Sequence, residues 1–519
     1  MKLQDQLPAY APESYHDFTK PENKTAMETA IAKIRSTFNT KYSNWIDGKP
    51  AHSDKYFNSL NPSNTSEVIG SFPLGTIDQA NEAVESAWKA FQSWSKTTPE
   101  HRAGILLKAA SLMKARRHEF SAMMILEAGK NFAEAEADTA EAIDFMEFYA
   151  REVLRYAEPS NLYQMPGEKD EMFYIPIGVV IVIPPWNFPC AILAGMTVAA
   201  LVTGNSVVLK PASDTPAIGY MVAELLYEAG FPHGVLNFLA GSGGTIGDTL
   251  VSHPKTRMIA FTGSLDVGLR INEMAAKVHP GQIWLKRLIA ELGGKDAIVV
   301  NHDADLEAAA QGIVASAFGF QGQKCSACSR AILHKDIYDT VLARVVELTN
   351  KLTIGNSAEN PNMGPVSSER AMKTILNYIE IGKTEGRLMT GGVRTSETGY
   401  FIAPTVIADI KPGAVIEQEE IFGPVLAVIK ADSFDHALEI ANGTKYGLTG
   451  AVYSKNPEIL DRARNEYFVG NLYLNRKCTG AMVGSHPFGG FNMSGTDSKA
   501  GGKDYLLLFL QAKSVATKL

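Results

Sequence analysis

Solid apolar runs alternate with longer amphipathic stretches through the middle of the chain. The run IGVVIVI at 177–183 predicts a parallel strand that is buried on both faces. Small and apolar residues at 190–203 then predict a helix, and the alternation continues with strands at 206–210, 234–241 and 258–264 and a helix at 217–230. Strands that alternate with helices of this length indicate βαβ units in an open, doubly wound sheet.

The same alternation restarts after Ala290 and predicts a second α/β domain. Asp296–Val300 is a predicted strand and Asp303–Phe320 a predicted helix. Further strand-like pieces are expected at Ser329–His334, Leu352–Gly355, Gly399–Ile410 and Gly423–Ala431.

The first part of the chain has a different pattern. Residues 1–43 are polar and mixed and predict a helical arm, whereas 44–50 and 59–75 predict short strands and turns. Ile77–Tyr156 has helical spacing with almost no Pro or Gly, which predicts several long helices. At the other end, Tyr505–Leu519 predicts an apolar edge strand, which we expect to pair, for instance with another subunit.

Membrane insertion is disfavoured by the sequence. Met172–Leu209 carries no charge, but Pro184, Pro185 and Pro189 interrupt it before it reaches the ~20 apolar residues of a spanning helix. A buried strand, a turn and a buried helix fit this stretch better.

Composition narrows the class of protein further. The 519 residues predict about three domains. With 49 basic against 56 acidic residues, the net charge is −7, so nothing draws the chain to nucleic acid or to an anionic membrane. Only four cysteines and no apolar leader indicate a reducing compartment, and we expect the cytoplasm.

One of these cysteines has the context of a reactive group. Cys325 in QGQKCSACS follows a Gly-containing turn and stands next to Lys324, and a nearby cation favours a thiolate. The alternative is an inert core cysteine. Cys325 and Cys328 also spell C-x-x-C, which leaves a redox dithiol open, but a zinc site lacks ligands, so no metal is predicted.

Two polar residues at predicted strand ends offer complementary chemistry. Glu291 ends an apolar strand, where burial would raise its pKa toward that of a general base; a cap is the alternative. Asn187 in PPWNFP could donate to an oxyanion, or could simply occupy a turn. The glycine-rich GSGGTIG and FTGSLDVG lie where strands pass into helices and could hold a pyrophosphate, but neither matches G-x-G-x-x-G, and Lys210 replaces the usual acid.

Taken together, these segments resemble the aldehyde dehydrogenase superfamily. The motifs are PWNFP, VVLKPA, FTGS, ELGGK, GQKC, EEIFGPV and PFGG, in the order of that family, and Cys325 lies 34 positions after Glu291. The resemblance covers the chain from about Asn44 onward. It implies two open doubly wound α/β domains and a small β oligomerisation element. The domain boundaries that we expect are 1–157 with 178–290 for the NAD-binding domain, 291–490 for the catalytic domain, and 158–177 with 491–519 for oligomerisation.

The resemblance also implies a role for each motif residue. Cys325 would be the nucleophile, Asn187 an oxyanion donor and Glu291 the base that activates water. NAD would be the cofactor, and Ser213, where many NAD-specific members carry Glu, suggests some use of NADP. The residues implied in cofactor binding are Ile183, Pro184, Pro185, Trp186, Lys210, Ser213, Gly243, Gly247, Phe261, Thr262, Gly263, Ser264, Leu292, Glu420 and Phe422.

Within the family, the chain is most similar to members that oxidise L-glutamate γ-semialdehyde to L-glutamate in proline degradation. FGFQGQKCSACSR, GQIWLKRLIAELGGK, RKCTGAMVGSHPFGGFNMSGTDSKAGG and the N-terminal arm carry this similarity. It implies a homo-oligomer and a substrate site formed by Lys324, Ser326, Gly480, Ala481, Phe188 and Phe488. Another semialdehyde, such as succinate semialdehyde, is the alternative substrate, and a non-catalytic binding protein or a dithiol oxidoreductase the alternative class.

Overall fold

The computed structural model describes residues 3–158 and 162–519. Its α-helices, in chain order, are α1 (Leu3–Gln6), α2 (Pro21–Arg35), α3 (Ile77–Trp94), α4 (Pro99–Ala115), α5 (Arg117–Glu127), α6 (Phe132–Ala157), α7 (Ala191–Val202), α8 (Pro216–Ala229), α9 (Asp248–Ser252), α10 (Leu265–Ala276), α11 (Leu306–Phe318), α12 (Tyr338–Thr349), α13 (Glu369–Glu385), α14 (Val415–Gln418), α15 (Phe434–Asn442) and α16 (Pro457–Glu466). Within the described residues, none of these helices combines the length and the apolarity that crossing a bilayer requires.

The strands follow the predicted alternation. They are β1 (Thr40–Lys41), β2 (Asn44–Ile46), β3 (Lys49–Ala51), β4 (Tyr56–Asn61), β5 (Asn64–Pro73), β6 (Glu168–Pro176), β7 (Val179–Ile183), β8 (Ser206–Leu209), β9 (Leu236–Phe238), β10 (Thr256–Thr262), β11 (Arg287–Glu291), β12 (Asp296–Val300), β13 (Cys328–His334), β14 (Arg387–Thr390), β15 (Thr405–Ile410), β16 (Val425–Ala431), β17 (Tyr446–Gly447), β18 (Thr449–Tyr453), β19 (Asn471–Leu474), β20 (Phe491–Asn492) and β21 (Leu510–Lys518).

Two seven-stranded sheets dominate the described part of the chain. The first has the order β11-β10-β7-β8-β9-β2-β3, and β7 to β11 are parallel in it. The second has the order β14-β15-β16-β13-β12-β18-β19, and only β14 runs antiparallel. In both, the parallel strands start in the middle, at β7 and at β12, and wind outward in two directions, which confirms the predicted doubly wound class.

The uncharged stretch around β7 is buried, as predicted. β7 and β8 lie in the middle of the first sheet, and α7 packs beside them with all its residues buried except Ile192. Core side chains of α4, α5, α6 and α7 meet on one face of this sheet, and those of α3 and α9 on the other. A strand that is covered by helices on both faces must be apolar throughout, which is the pattern of IGVVIVI.

One predicted strand is absent and another has an unexpected partner. Leu352–Gly355 forms no strand, since Ile354 makes only an isolated bridge with Met363 while Gly355 donates to the Met363 carbonyl. β21 pairs antiparallel with β6 of the same chain over nine residues, so its pairing in this chain needs no second subunit. The predicted element 158–177 includes residues 159–161, which lie outside the described residues.

The two large sheets meet where strands of the first sheet end and strands of the second begin. Glu291 ends β11 of the first sheet, and only four residues separate it from Asp296, which begins β12 of the second. The carboxyl ends of the first sheet therefore lie against the amino ends of the second. Ligands of open α/β sheets bind at carboxyl ends where the strand order reverses, here between β7 and β10.

Candidate active site

Cys325 lies in a turn at the amino end of β13, at the junction of the two sheets. The preceding segment is left-handed over Phe320 (φ 48°), Gln321 (φ 56°) and Gly322 (φ 67°). Gln321 holds this backbone by donating to the carbonyls of Gly129 (3.0 Å) and Pro365 (2.8 Å). Residues other than glycine rarely adopt positive φ values in succession, so the surrounding contacts impose this backbone conformation. They thereby set the orientation of the backbone that leads into Cys325.

The electrostatic surroundings of Cys325 differ from the sequence expectation. Burial raises the pKa of its thiol, and the carboxyls of Asp296, Glu420 and Glu291 raise it further. The expected cation, Lys324, is paired elsewhere: its ammonium lies 2.7 and 2.6 Å from the two carboxylate oxygens of Glu134. The prediction that Lys324 favours a thiolate is therefore wrong for this arrangement, because Glu134 on α6 neutralises the lysine.

Asn187 is brought to the same turn. It follows β7, is 4% exposed, and its side-chain amide donates to the carbonyl of Gln323 at 2.9 Å. A primary amide has two protons, so one remains for a further acceptor beside Cys325. The two elements are far apart in sequence, 136 positions, but adjacent in space.

Glu291 is buried at the end of β11, on the other side of the junction. The Ser498 hydroxyl donates to Oε1 at 2.5 Å, and within the described residues Oε2 is buried without a partner. Burial raises the pKa of Glu291 to about 7, and the Ser498 hydrogen bond opposes that shift. An acid with this pKa and an oxygen free to accept a proton is suited to general base catalysis.

Most of the residues that we predict to bind the cofactor lie together at the carboxyl ends of the strands of the first sheet. Ile183 is paired with Phe261 across β7 and β10, and Thr262 with Glu291 across β10 and β11. Pro184, Pro185 and Trp186 continue β7, Gly263 and Ser264 continue β10, and Leu292 continues β11. Ser213 is exposed in the turn after Lys210.

Lys210 gives the best test of whether this edge fits a polar ligand. Its side chain is buried and, within the described residues, its ammonium hydrogen-bonds only the Pro211 carbonyl at 3.3 Å. Burial lowers the pKa of Lys210 to about 8. Gly247 lies beside it, and a Cβ at Gly243 would meet no atom within 4 Å. A buried cation without an anionic partner next to open glycine backbone fits a cofactor with hydroxyl and phosphate groups.

Glu420 and Phe422 approach from the second sheet. The backbone N–H of Gly294 donates to Glu420 Oε1 at 3.0 Å, and burial raises the pKa of this carboxyl to about 7. The ring of Phe422 contacts the ring of Trp186 edge to face, with centroids 5.5 Å apart. Residues predicted for one cofactor thus meet from both sheets.

Hydrogen bonds connect some, but not all, of the residues that we predict to bind the substrate. The Cys478 thiol donates to the Ser326 carbonyl at 3.5 Å, which joins the turn of Cys325 to the loop that carries Gly480 and Ala481. Arg476 holds that loop by donating to the carbonyls of Thr479 (2.9 Å) and Gly480 (3.1 Å).

The aromatic pair of the predicted substrate site has other contacts as well. The ammonium of Lys130 lies 4.2 Å above the centre of the Phe188 ring, so that ring already packs on a buried cation. Phe488 is half-buried, and its backbone pairs with that of Ala500. The structure describes no contact between the Phe188 and Phe488 rings, and their joint role remains a prediction.

Sequence reasoning missed an acidic row on α6. Glu134, Asp138 and Glu141 lie at positions i, i+4 and i+7, which places them on one side of the helix. Glu134 pairs with Lys324, Asp138 lies 3.0 Å from the Lys130 ammonium, and burial raises the pKa of Glu141 to about 8. The spacing was visible in the sequence, but nothing there indicated which way the row faces.

Cys325 and Cys328 are not joined as the redox pair that their C-x-x-C spacing left open. All four cysteines are free, and the Cys328 thiol donates to the Arg330 carbonyl at 3.4 Å. Cys328 is 1% exposed, and its nearest sulfur interaction is with Cys478 rather than with Cys325. This arrangement does not favour a surface dithiol.

A junction of two doubly wound sheets with a cysteine, a glutamate and an asparagine around it defines an aldehyde-oxidising class of site, and comparison with known proteins agrees. The aldehyde dehydrogenase family model matches residues 46–515, and the chain belongs to that family. A Geobacillus sp. (strain WCH70) protein named 1-pyrroline-5-carboxylate dehydrogenase is 59% identical over 508 residues, which are 98% of this chain and 99% of that protein.

Solved structures give the same result. The 1-pyrroline-5-carboxylate dehydrogenase of Thermus with bound NAD is 50% identical, with a TM-score of 0.98 over 99% of this chain and 100% of that chain. A betaine aldehyde dehydrogenase from Staphylococcus aureus in complex with NAD⁺ is 30% identical, with a TM-score of 0.88 over 95% of this chain and 97% of that chain.

Proposed function

We propose that this chain is an NAD-dependent 1-pyrroline-5-carboxylate dehydrogenase, which oxidises L-glutamate γ-semialdehyde, the open form of that compound, to L-glutamate. The observation that carries the proposal is the meeting of Cys325, Asn187 and Glu291 at the junction of the two sheets. The identity of 59% to a protein of that name over 98% of the chain supports the choice of substrate.

The nucleophile in this proposal is Cys325. Its thiol must lose a proton despite a raised pKa, so a nearby base has to accept that proton. Glu291 is such a base, because its carboxyl has a pKa of about 7 and its Oε2 has no hydrogen-bond partner within the described residues. The sulfur then attacks the aldehyde carbon, and the carbonyl oxygen becomes an oxyanion.

Asn187 stabilises that oxyanion together with the backbone N–H of Cys325. The Gln323 carbonyl fixes the Asn187 amide before substrate arrives, and donors that are already oriented stabilise developing charge most effectively. Bound NAD would supply the hydride acceptor, held by Lys210 and Glu420 at its ribose hydroxyls and by the residues after β10 near the nicotinamide. Glu291 passes the proton that it took from the thiol to solvent before hydrolysis begins. Once the substrate carbon is oxidised to a thioester of Cys325, the Glu291 carboxylate takes a proton from water. The hydroxide oxygen bonds to the thioester carbon, and the C–S bond breaks to release the acid and the Cys325 thiolate.

The amino-acid head group of the substrate would bind between oppositely charged residues. Lys324, Ser326 and the backbone of Gly480 and Ala481 would bind its carboxylate. Glu141 is the residue we propose for its ammonium: burial raises the pKa of this carboxyl to about 8, Lys130 and Lys324 oppose that shift, and a bound ammonium would favour the charged form in the same way. The site thereby selects a zwitterion over a simple aldehyde.

The experiment that tests the function is NADH formation from pyrroline-5-carboxylate at equilibrium with its open form. Wild type is compared with Cys325→Ala, and succinate semialdehyde serves as the control substrate. We expect turnover that the substitution abolishes, and a large loss of kcat/KM on the control. Activity on the control aldehyde alone would keep the chemistry and refute the substrate.

Assembly and location are further proposals. We infer a cytoplasmic homo-oligomer with the domain boundaries given above, in which β6 and β21 belong to the oligomerisation element. The support is that this two-stranded sheet has free edges in the described chain and that its residues are mostly exposed. Light scattering of wild type and of a variant that lacks 510–519 would test it, and a monomeric wild type would refute it.

A further inference from the structure

The N-terminal arm crosses helices α5 and α6 at a cluster that the proposed reaction does not use. His16 Nδ1 of the arm lies 3.2 Å from His118 Nε2 of α5. Glu136 of α6 completes the group, and one ligand atom from each of the three residues lies within 4.8 Å of the others. Two nitrogens bound at 2.0–2.1 Å to a tetrahedral zinc ion are themselves about 3.3 Å apart, which is close to the observed histidine spacing.

The two oxygens of Glu136 have different surroundings: Oε1 lies 3.9 Å from His16 Nδ1, and Oε2 is unused. Its side chain is 1% exposed, and Oε1 accepts hydrogen bonds from Arg117 (2.5 Å) and from the His16 backbone (3.1 Å). Oε2 is buried, and within the described residues it has no partner. A buried carboxylate oxygen without a donor costs free energy, and a ligand at this point would satisfy it.

Two cations lie near this cluster, and carboxylates balance both of them. Arg117 donates to Glu136 at 2.5 Å and to Glu13 of the arm at 3.0 Å, and Lys114 lies 2.8 Å from the other oxygen of Glu13. These charges cancel, so the ligands that favour a metal ion are the two imidazoles and the free Oε2 of Glu136. Imidazole and carboxylate ligands suit zinc, cobalt and nickel.

We propose that His16, His118 and Glu136 bind a divalent transition-metal ion of the zinc class, with water as a fourth ligand. The ion fastens the arm to α5 and α6. Glu136 is two residues from Glu134, which holds Lys324 beside Cys325, so the clamp also fixes the start of α6 at the active site. No local pattern indicates this cluster, because His16 lies 102 positions from His118 and 120 from Glu136 along the chain.

The test is a titration of the chelator-treated full-length chain with Co²⁺, whose visible absorption reports tetrahedral nitrogen and oxygen ligands. Cys325→Ala is used as the background, since a reactive thiol would bind the metal itself. We expect one Co²⁺ per chain, displacement by Zn²⁺, a higher Tm with metal, and slower tryptic cleavage of the arm after Lys24. His16→Gln and His118→Gln should each weaken binding by at least about ten-fold.

The control is His302→Gln, which removes an exposed imidazole far from the arm and should leave the titration unchanged. If His118→Gln misfolds by circular dichroism, His16→Gln carries the test alone, because its side chain is 33% exposed and lies on the arm. Absence of the absorption band, or a band that neither substitution weakens, would overturn the proposal.

Discussion

Lys324 and Glu134 form an ion pair in which the ammonium lies within 2.7 Å of both carboxylate oxygens, one residue away from Cys325 in the chain. Burial would raise the pKa of Glu134, but Lys324 and Lys130 outweigh it and hold that pKa below its usual value. The pair explains why a lysine next to the proposed nucleophile does not lower the pKa of the thiol. The Glu134 carboxylate neutralises the Lys324 ammonium, so no net positive charge is left to stabilise a thiolate at Cys325.

Glu134→Gln should therefore make Cys325 more acidic. Without the carboxylate, the Lys324 charge is uncompensated, and a nearby cation stabilises a thiolate. We expect the midpoint of the pH profile of Cys325 alkylation to fall by about half a unit or more, which makes alkylation roughly threefold faster below the midpoint. Glu369→Gln, which breaks an exposed pair with Lys373, is the matched control and should leave the profile unchanged. A profile that Glu134→Gln does not move would show that Lys324 acts on substrate alone.

Ser498→Ala should shift the hydrolysis step to higher pH. The hydroxyl donates to the Glu291 carboxylate and so favours its charged form, and its loss raises the pKa of Glu291 above about 7. Because the base acts when ionised, the rate of thioester hydrolysis rises with pH through this pKa, and the rising limb of the variant should lie at higher pH. Single-turnover decay of the acyl-enzyme measures this directly.

Two further variants serve as controls for the Ser498→Ala experiment. The rate of thioester hydrolysis in Glu291→Gln should be about 10²- to 10⁴-fold lower than in wild type at every pH, because the glutamine amide cannot accept a proton from water. Ser93→Ala, an exposed serine on α3, should behave as wild type. A Ser498→Ala profile that coincides with wild type would remove Glu291 as the titrating base.

Lys210→Met should weaken NAD binding without lowering stability. The ammonium is buried with one carbonyl contact, so its removal costs a cofactor interaction but no ion pair. We expect Kd for NAD, measured by fluorescence titration, to rise about ten-fold, and Tm to stay level or rise. In wild type, Kd should increase above about pH 8, where the lysine loses its charge.

Lys286→Met is the matched control for that test. Burial lowers the pKa of Lys286 to about 8 as well, but this lysine donates to the Val251 carbonyl near the opposite, amino end of β11. Its substitution should leave Kd for NAD unchanged. Equal effects of the two substitutions would mean that Lys210 has no special role at the cofactor.

Residues that follow a strand could be predicted, and residues that approach from a distant segment could not. Ile183, Lys210, Thr262 and Glu291 all end or follow apolar runs, and parallel strands bring such ends to one edge whatever the details. Glu134 meets Lys324 across 190 positions and Ser498 meets Glu291 across 207, and no local pattern encodes either contact. The left-handed turn at Phe320 and Gln321 was equally hidden, because neither residue type favours positive φ.

Cofactor choice should depend on Ser213. This residue is exposed in the turn after Lys210, and its hydroxyl does not repel a 2′-phosphate as a carboxylate would. We expect wild type to prefer NAD but to show measurable turnover with NADP, and Ser213→Glu to lose the NADP activity by about ten-fold or more while it keeps that with NAD. Steady-state kinetics with both cofactors decide this, and a wild type without NADP turnover at millimolar cofactor would refute it.

Cys328→Ser should leave dehydrogenase activity close to that of wild type. The Cys328 thiol donates to the Arg330 carbonyl, and a serine hydroxyl can make the same hydrogen bond. A dithiol oxidoreductase, by contrast, would lose all activity on losing either sulfur. We therefore expect kcat/KM within about twofold of wild type for Cys328→Ser and complete loss for Cys325→Ala, measured as NADH formation on the same substrate. Loss of activity in both variants, with folding intact by circular dichroism, would restore the dithiol interpretation; loss in Cys325→Ala alone assigns the chemistry to a single sulfur.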